Sequence, residues 1–145
     1  QWDYDNYKQL ADKLRDKGYK IGLMGLCNYI KNEYIKADVD LVNQLDILES
    51  AVLVSMSACY IGHEGLIAHL ALASGTKTVA LYGCQLPEYV NGKNEFLYPV
   101  ISPAVCVGCR HGYNSGHLVI CKRNGECMKM ITVDQVWDKF REAIC

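Results

Sequence analysis

Residues 52–83 read Val52-Leu-Val-Ser-Met-Ser-Ala-Cys-Tyr-Ile-Gly-His-Glu-Gly-Leu-Ile-Ala-His-Leu-Ala-Leu-Ala-Ser-Gly-Thr-Lys-Thr-Val-Ala-Leu-Tyr-Gly83. The short apolar run Val52–Met56 has the length of a buried strand. A turn bearing Gly62 and Gly65 follows, and His63–Ser74 reads as a helix closed by Gly75. Lys77–Tyr82 is a second buried strand, ended by Gly83. Strand, glycine turn, helix and strand make one βαβ unit, which requires a parallel sheet. On this reading Glu64 and Gly65 fall in the first turn of the helix. Amides there have no partner within the helix and lie at the positive end of its dipole, so the turn is a candidate seat for a diphosphate. In open α/β sheets ligands lie beyond the carboxyl ends of the strands, where this turn falls. The spacing alone is also compatible with glycines that only make a tight turn and a His69 packed as an ordinary helix residue. It is neither a P-loop nor a complete dinucleotide fingerprint.

The pattern continues on both sides of this unit. Asp3 is an N-cap for a helix over Tyr4–Lys17, with Tyr7, Leu10, Ala11 and Leu14 at helical spacing and Gly18 as its stop. Tyr19–Gly25 reads as a strand, and Cys27–Val39 as a loop with a helical turn. Leu41, Leu45 and Leu48 indicate a helix over Asp40–Ser50. Leu86–Leu97 reads as loop and Tyr98–Ser102 as a last strand. Thr132 and Gln135 form a capping box for a helix reaching Ile144, with Val136, Phe140 and Ile144 on one face. The fold class is therefore α/β, with a Rossmann-like parallel sheet covered on both faces. A doubly wound domain opens with a strand, whereas this sequence opens in a helix. An upstream strand and an upstream domain are expected.

Composition bounds the function. The 145 residues suffice for one domain with a real core, and half of them are hydrophobic, which excludes disorder. A net charge of -1 gives no general attraction to nucleic acid or to an acidic membrane surface. The apolar stretches fall far short of the ~20 residues that a transmembrane segment needs. Arg110, Lys122, Arg123 and Lys129 are too few and too dilute to make a nucleic-acid stripe.

The eight cysteines divide unevenly. Cys27, Cys59, Cys84 and Cys145 are scattered, as small apolar residues are. Cys106, Cys109, Cys121 and Cys127 crowd together in a Cys-x2-Cys-x11-Cys-x5-Cys arrangement. Four thiolates close a tetrahedral shell for zinc or iron, and the polar loop between them has little else to order it. Such a site, stapling residues 104–128, has no open position and is structural. His111 and His117 are rival ligands, and two disulfides or free thiols are the competing arrangements. The pattern favours a reducing compartment.

Several of these pieces together resemble family 9 glycosyltransferases, the ADP-heptose:lipopolysaccharide heptosyltransferases. Glu64 stands five residues before His69, followed by Leu70-Ala71, Gly75, Thr78-Val79-Ala80-Leu81 and Tyr82-Gly83. Trp2, Tyr4 and Tyr7, then Leu23-Met24-Gly25, then Gln44-Leu45, and Cys106-x-x-Cys109 with Cys127-Met128 extend the likeness over nearly the whole chain. Three positions depart from the family pattern. Glu64 stands where aspartate is commoner, Leu66 where glycine is usual and Lys77 where proline is frequent.

The resemblance implies the C-terminal half of a GT-B enzyme, which binds a nucleotide diphosphate sugar such as ADP-heptose. Gly25, Asn28, His63, Glu64, Gly65, Leu66 and His69 are the implied donor-binding residues, with Glu64 near the donor sugar; the carboxylate the family places for the ribose shortly after the Gly25 strand has no clear counterpart, Asn28 being nearest in spacing and Glu33 the nearest acid. The general base would come from the absent N-terminal domain, which would also hold a glycan or lipopolysaccharide acceptor. Isolated, residues 1–145 are expected to bind nucleotide weakly and to transfer nothing. The implied location is cytoplasmic, including the inner face of the membrane. Two other classes compete: a zinc-stapled interaction module without catalysis, and a nucleotide-dependent oxidoreductase, which the incomplete glycine fingerprint weakens.

Overall fold

The structure, a computed structural model, describes residues 2–26, 32–110, 121 and 123–145. Helix α1 spans Tyr4–Asp16, where Asp3 accepts the Asp5 N–H and Gly18 at φ 85° turns the chain away. Strand β1, Gly22–Gly25, occupies the end of the expected strand. A one-turn helix α2, Asn32–Ile35, leads to β2, Val39–Val42, which pairs with β1 in parallel.

The next segment departs from the expectation. Asp40–Ser50 is not one helix: it begins in β2, Asn43 takes a φ of 59°, and helix α3 spans Ile47–Ser55. Val52–Met56, expected as a strand, is instead the end of α3 and its C-cap. The cause is local. Asp46 accepts the Glu49 N–H at 2.8 Å while Glu49 accepts the Asp46 N–H at 2.9 Å, and this capping box starts the helix. A continuous apolar run has no period of its own, so the cap decides between helix and strand.

The strand that feeds the glycine turn is β3, Tyr60–His63. Helix α4 spans Leu66–Ala73, so it starts three residues later than expected and ends before Gly75 at φ 75°. Strands β4, Thr78–Tyr82, and β5, Leu97–Ile101, complete a parallel sheet in the order β3-β4-β5. The expected loop between them holds a one-turn helix α5, Pro87–Val90, begun by a proline whose missing N–H is not needed there. Helix α6 spans Glu126–Lys129. Helix α7, Val133–Ile144, carries the expected capping box, with Gln135 N–H on Thr132 Oγ1 at 3.2 Å and Thr132 N–H on Gln135 Oε1 at 2.8 Å.

The main core lies between the sheet and the α1–α7 pair. Alternation along β4 sends Val79 and Leu81 toward this layer, where they meet Leu10, Val136 and Phe140. Helix α4 packs on β3 and β4, with α3 against it as the second layer. Trp2 is 1% exposed, and its indole N–H donates to the Ile131 carbonyl at 2.7 Å, which ties the chain before α1 to the chain before α7. Trp2→Ala should cost about 3–5 kcal/mol through lost packing. Trp2→Phe, which leaves the carbonyl without its donor, should cost about 1–3 kcal/mol. Urea unfolding of the two variants measures both, and the order Ala above Phe is the expected result.

Candidate functional site

The pairing of β3 with β4 sets the site. Gly62 lies opposite Ala80 and His63 opposite Leu81, so both strands deliver their following loops to one edge of the sheet. The Glu64 N–H donates to the Leu81 carbonyl at 3.3 Å and holds the turn against β4. Gly65 then takes φ 149°, a conformation that side chains rarely adopt, and redirects the chain into α4. The first helical bond runs from His69 N–H to the Gly65 carbonyl at 3.0 Å, and no side chain caps the helix. The N–H groups of Leu66, Ile67 and Ala68 therefore have no partner within α4.

This helix start opens on a cleft of about 470 Å³. One wall is His63–Ile67, and the other is formed by Gly25 at the end of β1 and Leu26 after it, with Leu45 and Asp46 before α3. The volume lies within the usual range of small-molecule sites. Of the residues singled out in the sequence, Gly25, His63, Glu64, Gly65 and Leu66 all line it. Glu64 and Gly65 stand before the helix rather than in its first turn. Asn28 and the Glu33 side chain lie outside the described residues.

Three of these side chains are held by specific partners. His63 Nε2 accepts the Trp2 N–H at 2.9 Å, which requires an unprotonated nitrogen, and burial lowers its pKa to about 4. It positions the entry to α1. Glu64 accepts a hydrogen bond from Gln85 Nε2 at 2.8 Å. Burial first, and the Glu64 charge second, raise the phenols on either side: Tyr60 to about 12, and Tyr82 further. His69, one turn into α4, faces the loop after β4. Asn91 Nδ2 lies 3.2 Å from His69 Nδ1, and Tyr82 donates its hydroxyl to Asn91 Oδ1 at 2.5 Å. The amide orientation makes His69 Nδ1 an acceptor and leaves its proton on Nε2. Gln85, Tyr82 and Asn91 escaped sequence reading. The available signal was a polar pair flanking Pro87 just beyond the Gly83 that ends β4, at the edge where the glycine turn lies.

The Cys106–Arg110 turn and Cys127 of the C-terminal cluster meet the same loop. The Cys106–Arg110 turn, with Gly108 at φ 71°, donates from Gly108 N–H to the Gly83 carbonyl at 2.9 Å and from Arg110 N–H to the Cys84 carbonyl at 3.0 Å. Cys127 is buried against Gly83, where a Cβ would fall 2.8 Å from its Sγ. Cys121 accepts the Gly125 N–H at 3.2 Å. Burial raises the thiols of Cys109 and Cys127, and both also feel Cys84, Cys106 and Cys121. The thiols thus share one neighbourhood, and Cys84, read as a scattered residue, belongs to it. Their chemistry suits zinc or iron. Among the described residues, however, no three His, Cys, Asp or Glu side chains are set as a metal-binding group. His111 and His117 lie outside the described residues.

Fold and cleft together define a doubly wound α/β domain with a ligand-sized cleft at the carboxyl edge of its parallel strands. Residues 1–120 match glycosyltransferase family 9 (heptosyltransferase), and the chain belongs to that family. Three solved structures share the fold. Escherichia coli ADP-heptose LPS heptosyltransferase II is 17% identical with a TM-score of 0.73, over 99% of this chain and 42% of that one. The E. coli heptosyltransferase WaaC with ADP is 15% identical with a TM-score of 0.74, over 98% and 39%. The iron-containing dodecameric glycosyltransferase TibC of enterotoxigenic E. coli is 19% identical with a TM-score of 0.73, over 95% and 39%. The chain thus spans about two fifths of the length of these proteins. No curated protein matches it significantly. No helix among the described residues is long and apolar enough to cross a membrane.

The buried imidazole gives the site a pH signature. With a folded-state pKa near 4 against the ordinary 6.5 of an imidazole, the unfolded chain takes up the proton first. The His63 contribution to stability is complete above pH 6.5 and is lost as the pH falls toward 4, by about 3 kcal/mol. His63→Gln should flatten that part of the stability–pH curve, measured by denaturant midpoints across the window.

Proposed function

We propose that this chain is the donor-binding domain of a glycosyltransferase that moves a sugar, heptose first among candidates, from a nucleotide diphosphate sugar to a hydroxyl acceptor. One observation carries the reading: the uncapped start of α4 opens into the cleft beside Glu64, at the carboxyl edge of β3 and β4. In this reading the N–H groups of Leu66, Ile67 and Ala68 receive the diphosphate, and the helix dipole favours its negative charge. Glu64, braced by Gln85, stands near the donor sugar. Gly25 leaves the opposite wall open for the nucleoside, and His69 acts from behind the helix start through Asn91. Charge builds on the diphosphate as the glycosidic bond breaks, so fixed amides aimed at it stabilise the transition state more than the bound donor.

The acceptor, a glycan such as a lipopolysaccharide core, and the general base that deprotonates its hydroxyl belong to an N-terminal domain outside these residues. The enzyme works in the cytoplasm, where its nucleotide sugar and its free thiols are both maintained. Cys106, Cys109, Cys121 and Cys127 hold one structural zinc or iron, which orders residues 104–128 and takes no part in the chemistry. The iron in TibC supports this assignment by analogy.

Titration of the full-length protein with ADP should give saturable binding, weakened about tenfold by Gly65→Ala, since a tenfold loss is ~1.4 kcal/mol and a strained backbone costs that order. Glu64→Gln should lower kcat/KM for an ADP-sugar by about a hundredfold with ADP binding nearly unchanged. Residues 1–145 alone should bind ADP weakly and transfer nothing. Full transfer activity from them, or unaltered ADP binding in Gly65→Ala, defeats the assignment. Elemental analysis should find about one zinc or iron per chain, with visible absorption only for iron, and the Cys106→Ser/Cys109→Ser double variant should lose it.

A further inference from the structure

The cleft at the start of α4 offers an anion little positive charge. Among the described residues no lysine or arginine lines it. Its acids are Asp46, whose carboxylate caps α3, and Glu64, which accepts from Gln85. His63 is neutral, with Nε2 engaged by the Trp2 amide. Within these residues an anion seated there is held by neutral donors, the amides of α4 and a hydroxyl that reaches the same place. Ser50 and Tyr60 carry the hydroxyls of the lining. Ser50 is buried within α3, whereas Tyr60 stands on the strand that feeds the glycine turn.

The strand delivers that phenol to the turn. Side chains alternate along β3, and Cys59 and Ile61 pack against the main core, so Tyr60 and Gly62 face the α3–α4 layer. The Tyr60 ring lies forward over Gly62, where a Cβ would fall 2.7 Å from Cζ and 2.3 Å from the hydroxyl oxygen. Gly62 does not take a positive φ, so glycine is needed there for space. The hydroxyl reaches the peptide that joins His63 to Glu64 and lies 3.4 Å from the His63 carbonyl oxygen. That peptide sends its N–H to Leu81 of β4, and its carbonyl points the opposite way. The hydroxyl therefore stands on the side of the turn away from β4, in the cleft that Gly25 and Leu26 face.

At 3.4 Å the bond to His63 is longer than the roughly 2.5–3.0 Å of a well-formed O–H···O bond, so the proton is weakly engaged. Burial first, and the Glu64 charge second, raise the phenol to about 12, which keeps it a hydroxyl at neutral pH. We propose that Tyr60 is a further donor-binding residue, whose hydroxyl turns from the His63 carbonyl to donate to a phosphate oxygen of the nucleotide at the start of α4. The assignment rests on the reading of the cleft as a nucleotide diphosphate site. It adds to the amides an O–H donor whose bond is strengthened by the charge of its acceptor. It also gives Gly62 its own part, since a side chain there would push the phenol off the turn.

Calorimetric titration of the full-length protein with ADP tests the assignment. Tyr60→Phe keeps the ring over Gly62 and removes only the hydroxyl, so the urea midpoint should move little. ADP should bind about ten- to a hundredfold more weakly, the usual loss for a hydrogen bond to a charged group. A crystal structure with ADP should place Tyr60 Oη about 2.5–3.0 Å from a phosphate oxygen. Unchanged ADP affinity in Tyr60→Phe beside weakened binding in Gly65→Ala overturns the role of Tyr60 and leaves the nucleotide site standing. A loss of affinity matched by a loss of stability assigns Tyr60 to packing and overturns that role as well. Absence of saturable ADP binding by the unaltered protein defeats both readings.

Discussion

A parallel strand pair cannot close through a hairpin, and this constraint governs the molecule. Each strand must return through a helix, so every loop that follows a strand emerges at one edge and every helix after it starts there. With β3 and β4 in register, Glu64 and Gly65 come to lie beside the Gly83–Gln85 loop. The same rule brings Gly25, at the end of β1, to the opposing wall. The cleft is thus a product of topology before any particular side chain matters. Gly65 adds the one local requirement, because only a residue without Cβ readily adopts its φ of 149°.

The alternation of helices with short apolar strands was legible, and so were the elements marked by caps or stops. Asp3, Thr132 with Gln135, Gly18 and Gly75 each fix an end by a hydrogen bond or a backbone conformation that needs no tertiary context. The stretch from Val39 to Met56 was misread for a physical reason. Leu41, Leu45 and Leu48 mimic helical spacing, yet the first belongs to a strand and the other two flank the start of α3. Asp46 and Glu49 carried the correct signal as a capping box, and the leucine spacing obscured it. The displacement of the strand from Val52–Met56 to Tyr60–His63 left the site at the same edge, because the glycine turn follows whichever strand feeds it.

The candidate site was legible only along the backbone. Gly62, Glu64 and Gly65 declare a turn by their types, and the helix after them declares its amide end. What the sequence hides is which side chains from other loops converge on the turn. Gln85 reaches Glu64 across 21 positions, and Asn91 reaches His69 across 22. No periodicity encodes such contacts, since they depend on how far β4 carries the chain before it turns. His63 shows the converse. The family resemblance implies that it binds the donor, and it lines the cleft, while its Nε2 is engaged by the Trp2 amide and its charge is suppressed by burial.

The cysteine cluster and the cleft are mechanically one system, joined through the loop after β4. The Cys106–Arg110 turn binds the carbonyls of Gly83 and Cys84, and Cys127 packs against Gly83 with no room for a side chain there. The next residue, Gln85, holds Glu64. A disturbance of the cysteine turn therefore reaches the carboxylate through three covalently consecutive residues and a single side-chain hydrogen bond. The position of the Cys106–Arg110 turn is in this way linked to the start of α4. The Cys106–Arg110 turn and Cys127 brace the loop that aims Glu64, through two backbone hydrogen bonds and one close packing contact.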